Sequence, residues 1–576
     1  PAEGAGRGGR GGSGSGAATP APETPPKPVR IDFDRIQQRI VALPLPPRNY
    51  QSLTAGRAGI LFLLEPSASG DVRGGFGGGA AVVRFDLKTR KSEKVADNVA
   101  LFDLSANGDK MLLRLAGGGG GRGGRGGAGA PAAPQYVIVP ANAPLKPGEG
   151  ALNTAALEVK VDPRAEWTQM FHEVWRIERS YFYDPNLHGV NAADAEAQFA
   201  KYLPALGSRA DLNYLFRDML SDITSGHLRG NGGTIPAART VPGGLLGADY
   251  EIVDGRYRFE KIYIPESWNP QISSPLAQPG LKVKEGDFLL AVNGQDLQGD
   301  GDVQRLLENT AGKQTRLKIA SDAAGKDARE ITVVPIASET ALRHSAWLDG
   351  NRKKVDELSG GKLAYVYMPD TAQGGYTSFN RYYFAQSDKS GAVIDERFNS
   401  GGQVADYVID VLNRKLMAWW SPRYGAIYRT PAASVLGPKV MIVNEMAGSG
   451  GDCMPWMFRY SKTGPLVGKR TWGGLIGISQ YPTLMDGGAV TAPNFGFFSP
   501  EGKWDVENHG VTPDFEVDQD PKSVAAGHDP QLERAVREAL ALLAKNPPPV
   551  PHRPEYPNYQ RPAAPPSTTP AAGGQR

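Results

Sequence analysis

The chain has a single cysteine, Cys453, so no disulfide can close within it. It contains nothing near the run of about 18 apolar residues that a membrane-spanning helix needs, so no membrane span is expected. Neither sign of charge prevails. Lys+Arg 64 against Asp+Glu 61 leaves +3, too little to make nucleic acid or an anionic membrane the main partner. There is no His-Glu-x-x-His and no Cys/His cluster, so neither metal nor other cofactor is expected. The opening residues, Pro-Ala-Glu-Gly-Ala-Gly, carry no initiator Met, no basic segment and no apolar segment. They read as an internal start, and the expectation is a fragment of a longer chain, in which any targeting signal would lie upstream.

What is present is length: 576 residues, against roughly 100–200 for one domain, predict three to four domains. Residues 1–29 and the Pro-rich tail 546–576 offer too little apolar surface to offset ordering entropy and should be disordered. Two further glycine-rich stretches, 67–79 and 117–134, read as flexible surface insertions. Between them, Ala-Val-Val-Arg-Phe-Asp-Leu, Val-Ala-Leu-Phe-Asp-Leu and Lys-Met-Leu-Leu-Arg-Leu alternate as strands, the last two separated by a turn at 105–110. This resembles β-propeller blades. One to two blades fit before residue 160, whereas a ring needs about four to eight; a small meander is the alternative.

From 162 to about 225 the period becomes helical, with Trp167, Met170, Phe171, Val174 and Trp175 on one stripe and Leu212, Leu215, Phe216 and Leu220 on another. Residues 241–338 resemble a PDZ domain. Gly244-Leu245-Leu246-Gly247 is in the place of a carboxylate-binding loop, and Gly286-Asp287 leads an apolar strand closed by Asn293-Gly294. A helix over 302–309 and a strand over 331–335 should follow. Such modules bind extended peptides by strand addition, unless this one is only a spacer. From 362 onward, apolar strands at 363–368, 392–395 and 439–444 alternate with helices at 404–415 and 452–462, implying a layered α/β core. A last helix is predicted over 531–545.

Two segments carry chemistry. In 439–452 a buried strand enters the turn Ala447-Gly448-Ser449-Gly450 and a helix starts at once. A serine there meets free backbone N–H groups and the positive end of a helix, which favours the anion formed in acyl transfer. The same features describe an ordinary N-cap serine. The Gly-x-Ser-x-Gly elbow is not met, because Ala447 replaces the first glycine. In 393–402 a second strand ends at Gly401-Gly402, and two such turns side by side would form an oxyanion hole. A serine needs a base within reach. Of seven histidines, residue context leaves His227, in Thr-Ser-Gly-His, and His509, in Glu-Asn-His-Gly-Val, as rivals.

The following motifs, in this order, resemble the C-terminal half of the tricorn proteases: Glu166-Trp167-x-x-Met-Phe-x-Glu173-x-Trp175-Arg176; Tyr181-Phe182-Tyr183-Asp184-Pro185; Ser225-Gly226-His227; the PDZ segment; Asp395-x-Arg397-x-Asn399-x-Gly401-Gly402; Ala447-Gly448-Ser449; and Glu507-Asn508-His509-Gly510-Val511-x-Pro513-Asp514. The resemblance covers about 160 to 520. It implies Ser449 as nucleophile, His227 as general base, Glu507 as the acid that orients the base through a hydroxyl, Ser225 as that hydroxyl, and the amides of Gly402 and Gly450 as oxyanion hole. Two departures stand out. Gly226 separates Ser225 from His227, and Gly450 stands where the archaeal enzyme has an acid. No acid that would select basic P1 residues matches near Trp419-Trp420-Ser421. The related C-terminal-processing proteases use a Ser/Lys dyad, but Gly474 stands where their lysine would be.

The resulting expectation is a multidomain α+β chain. It comprises a disordered tail (1–29), partial β-propeller blades (30–160), a small helical bundle carrying the histidine (161–240), a PDZ domain (241–340), a crotonase-like α/β serine protease core (341–545) and a disordered tail (546–576). It would hydrolyse peptides through an acyl-enzyme. The alternatives are an inactive peptide-binding scaffold and a crotonase-type acyl-CoA enzyme. The resemblance implies a homo-oligomeric, hexamer-like ring in the cytoplasm; a signal segment lost upstream would mean the periplasm instead.

Overall fold

The computed structural model describes residues 31–560, except 41, 49, 67–79, 116–134, 237, 267, 268, 270 and 271. The N-terminal tail and both glycine-rich insertions expected above therefore lie outside the described residues, while 546–560 carry no helix or strand. The described residues form two compact units, one ending at Leu152 and one running from Asn153.

The first unit is an antiparallel sheet in strict sequence order: β1 (Ser52–Ala55), β2 (Ile60–Pro66), β3 (Ala80–Asp86), β4 (Lys91–Leu104), β5 (Lys110–Leu115) and β6 (Gln135–Pro140). Phe62, Val82, Met111, Leu113, Val137 and Val139 fill its core. The alternating runs at 80–115 become β3, the end of β4, and β5. They join into one meander of six strands.

The second unit opens with three helices, α1 (Pro163–Tyr181), α2 (Ala192–Ala200) and α3 (Arg209–Ser221). Each starts on a polar N-cap: Asp162, Asn191 and Ser208 accept from amides of the first turn, satisfying donors the helix cannot. Their apolar stripes, including Met170, Phe171, Val174, Trp175, Leu212, Phe216 and Leu220, close on one another. After α3 the chain passes through the His227 turn into a short strand, β7 (Gly230–Asn231).

A second sheet follows, built from β8 (Ala248–Val253), β9 (Arg256–Ile262), β10 (Phe288–Val292), β11 (Gln295–Asp296), β12 (Thr315–Ala320) and β13 (Arg329–Val333). Its order is β13-β12-β10-β9-β8, with β11 on β10. The helix expected over 302–309 is only α4 (Val303–Leu306). It stops because the chain turns at Leu307, whose carbonyl accepts from Gly244 N at 2.9 Å.

Beyond α5 (Thr340–Ser359) lies the core: β14 (Leu363–Tyr367), α6 (Gln373–Ala385), β15 (Gly391–Asp395), α7 (Ala405–Leu412), β16 (Ala418–Trp420), β17 (Tyr428–Thr430), β18 (Lys439–Val443), α8 (Gly450–Tyr460) and β19 (Leu466–Gly468). The small strands β20 (Gly477–Ile478), β21 (Ala489–Val490) and β22 (Pro493–Phe495) come next, then β23 (Phe515–Glu516), α9 (Pro521–Ala525) and α10 (Pro530–Lys545). The main sheet is parallel, in the order β14-β15-β18-β19-β23. Parallel strands covered on both faces need apolar side chains at every position, and all residues of β14, β15 and β18 are buried. Alternate positions point to opposite layers. Ala364, Val366, Ala392, Ile394, Met441 and Val443 pack with residues of α6, α7 and α8. Leu363, Tyr365, Val393, Val440 and Ile442 pack with residues of α5 and α10. The β20–β22 and β7–β21 pairings tie the segment from 475 to 495 to itself and to the end of the helical bundle.

Candidate active site

Ligands of open α/β sheets bind beyond the carboxyl ends of the strands. Here β15 and β18 are adjacent and parallel, so the turns that follow them meet. Asn399 joins the two turns. Its side-chain oxygen accepts from Gly401 N at 2.9 Å and its carbonyl accepts from Gly448 N at 3.0 Å.

Ser449 lies where β18 breaks into α8, with φ 58° and ψ −117°. A non-glycine residue in this region is strained and persists only where surroundings over-determine it. This is the conformation a nucleophile elbow imposes, reached here although Ala447 replaces the expected glycine. The holding group is Asp452, in a Ser-x-x-Asp spacing whose capping value the sequence reading overlooked. It is fully buried. Its carboxylate accepts from Ser449 N (2.8 Å), Gly473 N (2.8 Å), Gly474 N (3.1 Å) and the Thr471 hydroxyl (2.5 Å). Burial nevertheless raises its pKa above the usual carboxylate value, against the pull of those donors.

Gly402 and Gly450 face each other across the turns. A Cβ on Gly450 would stand 2.4 Å from the Gly402 carbonyl oxygen and 2.7 Å from its nitrogen, and Gly402 itself sits at φ +134°. Only glycine permits that approach. Among the described residues, neither of their N–H groups has an acceptor. Beside them the Thr371 hydroxyl is buried and also without a partner.

His227 is 8% exposed, its ring packed edge to face with Trp472 at 5.3 Å between centroids. The same indole covers the elbow: a Cβ on Gly448 would lie 2.5 Å from its Cε3. The histidine and the serine turn thus flank one tryptophan, but no hydrogen bond joins the His227 ring to the Ser449 hydroxyl. Burial lowers the His227 pKa; the Arg229 charge adds to the lowering, and the Glu507 charge and the Ile476 backbone oppose it. Nδ1 has no hydrogen-bond partner.

Glu507 does not reach the imidazole through Ser225. Its Oε1 accepts from the Ser225 hydroxyl (3.2 Å) and Gly226 N (2.7 Å), and its Oε2 from Leu475 N (2.6 Å) and Ile476 N (2.8 Å). The acid and the hydroxyl meet as expected, but the link from Ser225 to the ring is absent because Gly226 shifts the serine one residue back. The rival His509 is 58% exposed at its side chain and pairs with Asp505 at 3.2 Å. The 244–247 loop is also not an open cradle. Gly244 N donates to Leu307 O (2.9 Å), Leu245 N to Ile336 O (2.8 Å) and Gly247 N to Glu339 Oε1 (2.6 Å), while Leu246 is fully buried. Three of the four amides are already engaged within the fold, so they are not available to a carboxylate. Among the described residues, no group of His, Cys, Asp or Glu is arranged to hold a metal ion.

Family models place the molecule more sharply. Residues 163–221 match the Tricorn protease C1 domain, 244–338 the Tricorn protease PDZ domain, and 362–517 Peptidase family S41. Tricorn protease homolog 1 of Streptomyces coelicolor is 33% identical over 544 residues, covering 91% of this chain and 48% of its own. The chain belongs to the tricorn protease family. Tricorn protease of Thermoplasma volcanium is 26% identical, over 90% of this chain and 49% of its own. The crystal structure of the tricorn protease superposes with a TM-score of 0.77 and 25% identity, covering 87% of this chain and 47% of that one. This tricorn-family chain therefore spans about half the length of these relatives.

Proposed function

We propose that the chain cleaves peptides by an acyl-enzyme mechanism in which Ser449 is the nucleophile and His227 the general base. The observation that carries this reading is the elbow at Ser449, which presents a hydroxyl at the head of α8 beside the two unengaged amides of Gly402 and Gly450. His227 takes the Ser449 proton as Oγ attacks the scissile carbonyl, and the oxyanion forms against those amides. The imidazolium then protonates the leaving amine, and water repeats the cycle on the ester. Catalytic hydrogen bonds often tighten only with substrate bound, and this reading requires the imidazole to meet Oγ in that complex. Glu507 and Ser225 act as positioning residues that hold the His227 turn.

On the same reading the meander of the first unit belongs to a β-propeller, the core is of the crotonase kind, the substrates are peptides left by larger proteases, and the protein works as a cytoplasmic homo-oligomer. A peptide-library digest with Ser449→Ala and His227→Ala as controls tests the chemistry. Each substitution should lower kcat by at least about 10⁴-fold. Hydrolysis persisting in Ser449→Ala would refute the assignment.

A further inference from the structure

A cleft of about 450 Å³ opens from the nucleophile. Ser449, Cys453 and Met457 are spaced by four residues along α8, so they lie close to one face of the helix. Cys453 follows Ser449 by about 6 Å along the axis and Met457 by about 12 Å. Leu475, Ile478, Phe495 and Phe497 also line it. Phe495 lies against Gly477, where a Cβ would stand 2.0 Å from the ring, so that glycine lets the aromatic wall close. The lining carries one formal charge, Asp406, which is exposed at the start of α7 and already accepts from Tyr407 N at 2.7 Å. Burial pushes the Cys453 thiol up to about 11, which keeps it neutral at ordinary pH.

We propose that this cleft is the S1 pocket and that it selects large uncharged P1 side chains, phenylalanine, leucine or methionine, over lysine and arginine. The inference rests on the serine peptidase reading above and adds the substrate class to it. The cleft begins at the oxyanion amides and the nucleophile, where the P1 residue must be anchored. A lysine or arginine inserted there would lose its hydration and meet mainly sulfur, aliphatic and aromatic atoms, because the one carboxylate among the lining residues, Asp406, is exposed and the buried Glu396 and Asp452 lie behind the lining. An apolar side chain gains by leaving water, and hydrophobic pockets discriminate by roughly 10–200-fold for a single methylene.

The test uses a peptide series identical except at P1 (Phe, Leu, Met, Ala, Lys, Arg), read as kcat/KM with the full chain. P1-varied peptide aldehydes competing with a fluorophosphonate for Ser449 rank the same pocket independently of turnover. The wild type should favour Phe, Leu and Met over Lys and Arg by at least about tenfold. Cys453→Asp and Ile478→Glu, the latter at a solvent-exposed position, should each move that ratio toward the basic residues by about tenfold or more. Cys453→Trp should move preference from Phe to Ala. Equal or better handling of Lys and Arg by the wild type overturns the pocket assignment, as does a ranking that no variant changes. If Ser449 takes up neither peptide nor fluorophosphonate, the peptidase reading itself falls; a labelled Ser449 with a flat ranking removes the pocket assignment alone.

Discussion

Replacing Glu507 by glutamine keeps the side chain's size and removes one of its two acceptor oxygens. In the native chain each oxygen serves two donors: the Ser225 hydroxyl and Gly226 N on one, Leu475 N and Ile476 N on the other. If the NH₂ faces Leu475 N and Ile476 N, two hydrogen bonds to a charged acceptor are lost; if it faces the other pair, the Ser225 hydroxyl can turn to accept, the Gly226 bond is lost, and the remaining bonds go to a neutral amide oxygen. Such bonds are worth about 1.5–3 kcal/mol each. Glu507 is half-buried and water can substitute in part, so about 3 kcal/mol of local stability should disappear. That corresponds to roughly 100-fold faster opening at 1.36 kcal/mol per tenfold. Amide hydrogen exchange read by mass spectrometry on peptides spanning 224–228 and 474–477 measures it directly. Because the same carboxylate ties the turn bearing His227 to the segment after Trp472, kcat/KM should fall at least about tenfold as well. Wild-type exchange in both peptides, together with wild-type hydrolysis, would refute the clamp.

The acid limb of kcat/KM against pH should have its midpoint below the ordinary histidine value of about 6.5, since burial holds the His227 pKa down. In stability the sign is the same: the unfolded chain takes up this proton first, so the contribution is complete above about 6.5 and is lost as pH falls through the lower folded value. A midpoint at or above 6.5 would contradict the burial argument. Glu178 works in the other direction. Both its oxygens are buried without partners, and burial raises its pKa to about 8. The fold holds that proton while the unfolded chain releases it near 4.5, so stability falls as pH rises between those values, by on the order of 5 kcal/mol. Glu178→Met should therefore melt higher than wild type at pH 8, with the advantage gone near pH 5. Parallel pH slopes in the two proteins would count against it.

Periodicity made the core elements legible. Strands at 363, 392 and 439 and the helix beginning near 531 emerge where apolar runs and stripes predict them, because buried parallel strands leave little latitude in composition. The juxtaposition of the Gly401-Gly402 and Gly448–Gly450 turns follows from two strands that pair directly. Contacts made by residues remote in sequence were not legible. Asp452 reads locally as a capping residue, and nothing in its neighbourhood announces that it also binds Thr471, Gly473 and Gly474. Trp472, between His227 and the elbow, gave no signal either. The PDZ loop motif misled because its amides are engaged by Leu307, Ile336 and Glu339, 63 residues or more away in the chain. The inserted Gly226 was visible, but its effect on the Ser225–His227 link needed the fold.

The most direct measurement is mass spectrometry of the intact chain after treatment with a small fluorophosphonate, followed by peptide mapping. The account predicts one adduct, at Ser449, formed in wild type and lost or strongly slowed in His227→Ala. No adduct, an adduct on another residue, or a Ser449 adduct formed equally fast without His227 would contradict it.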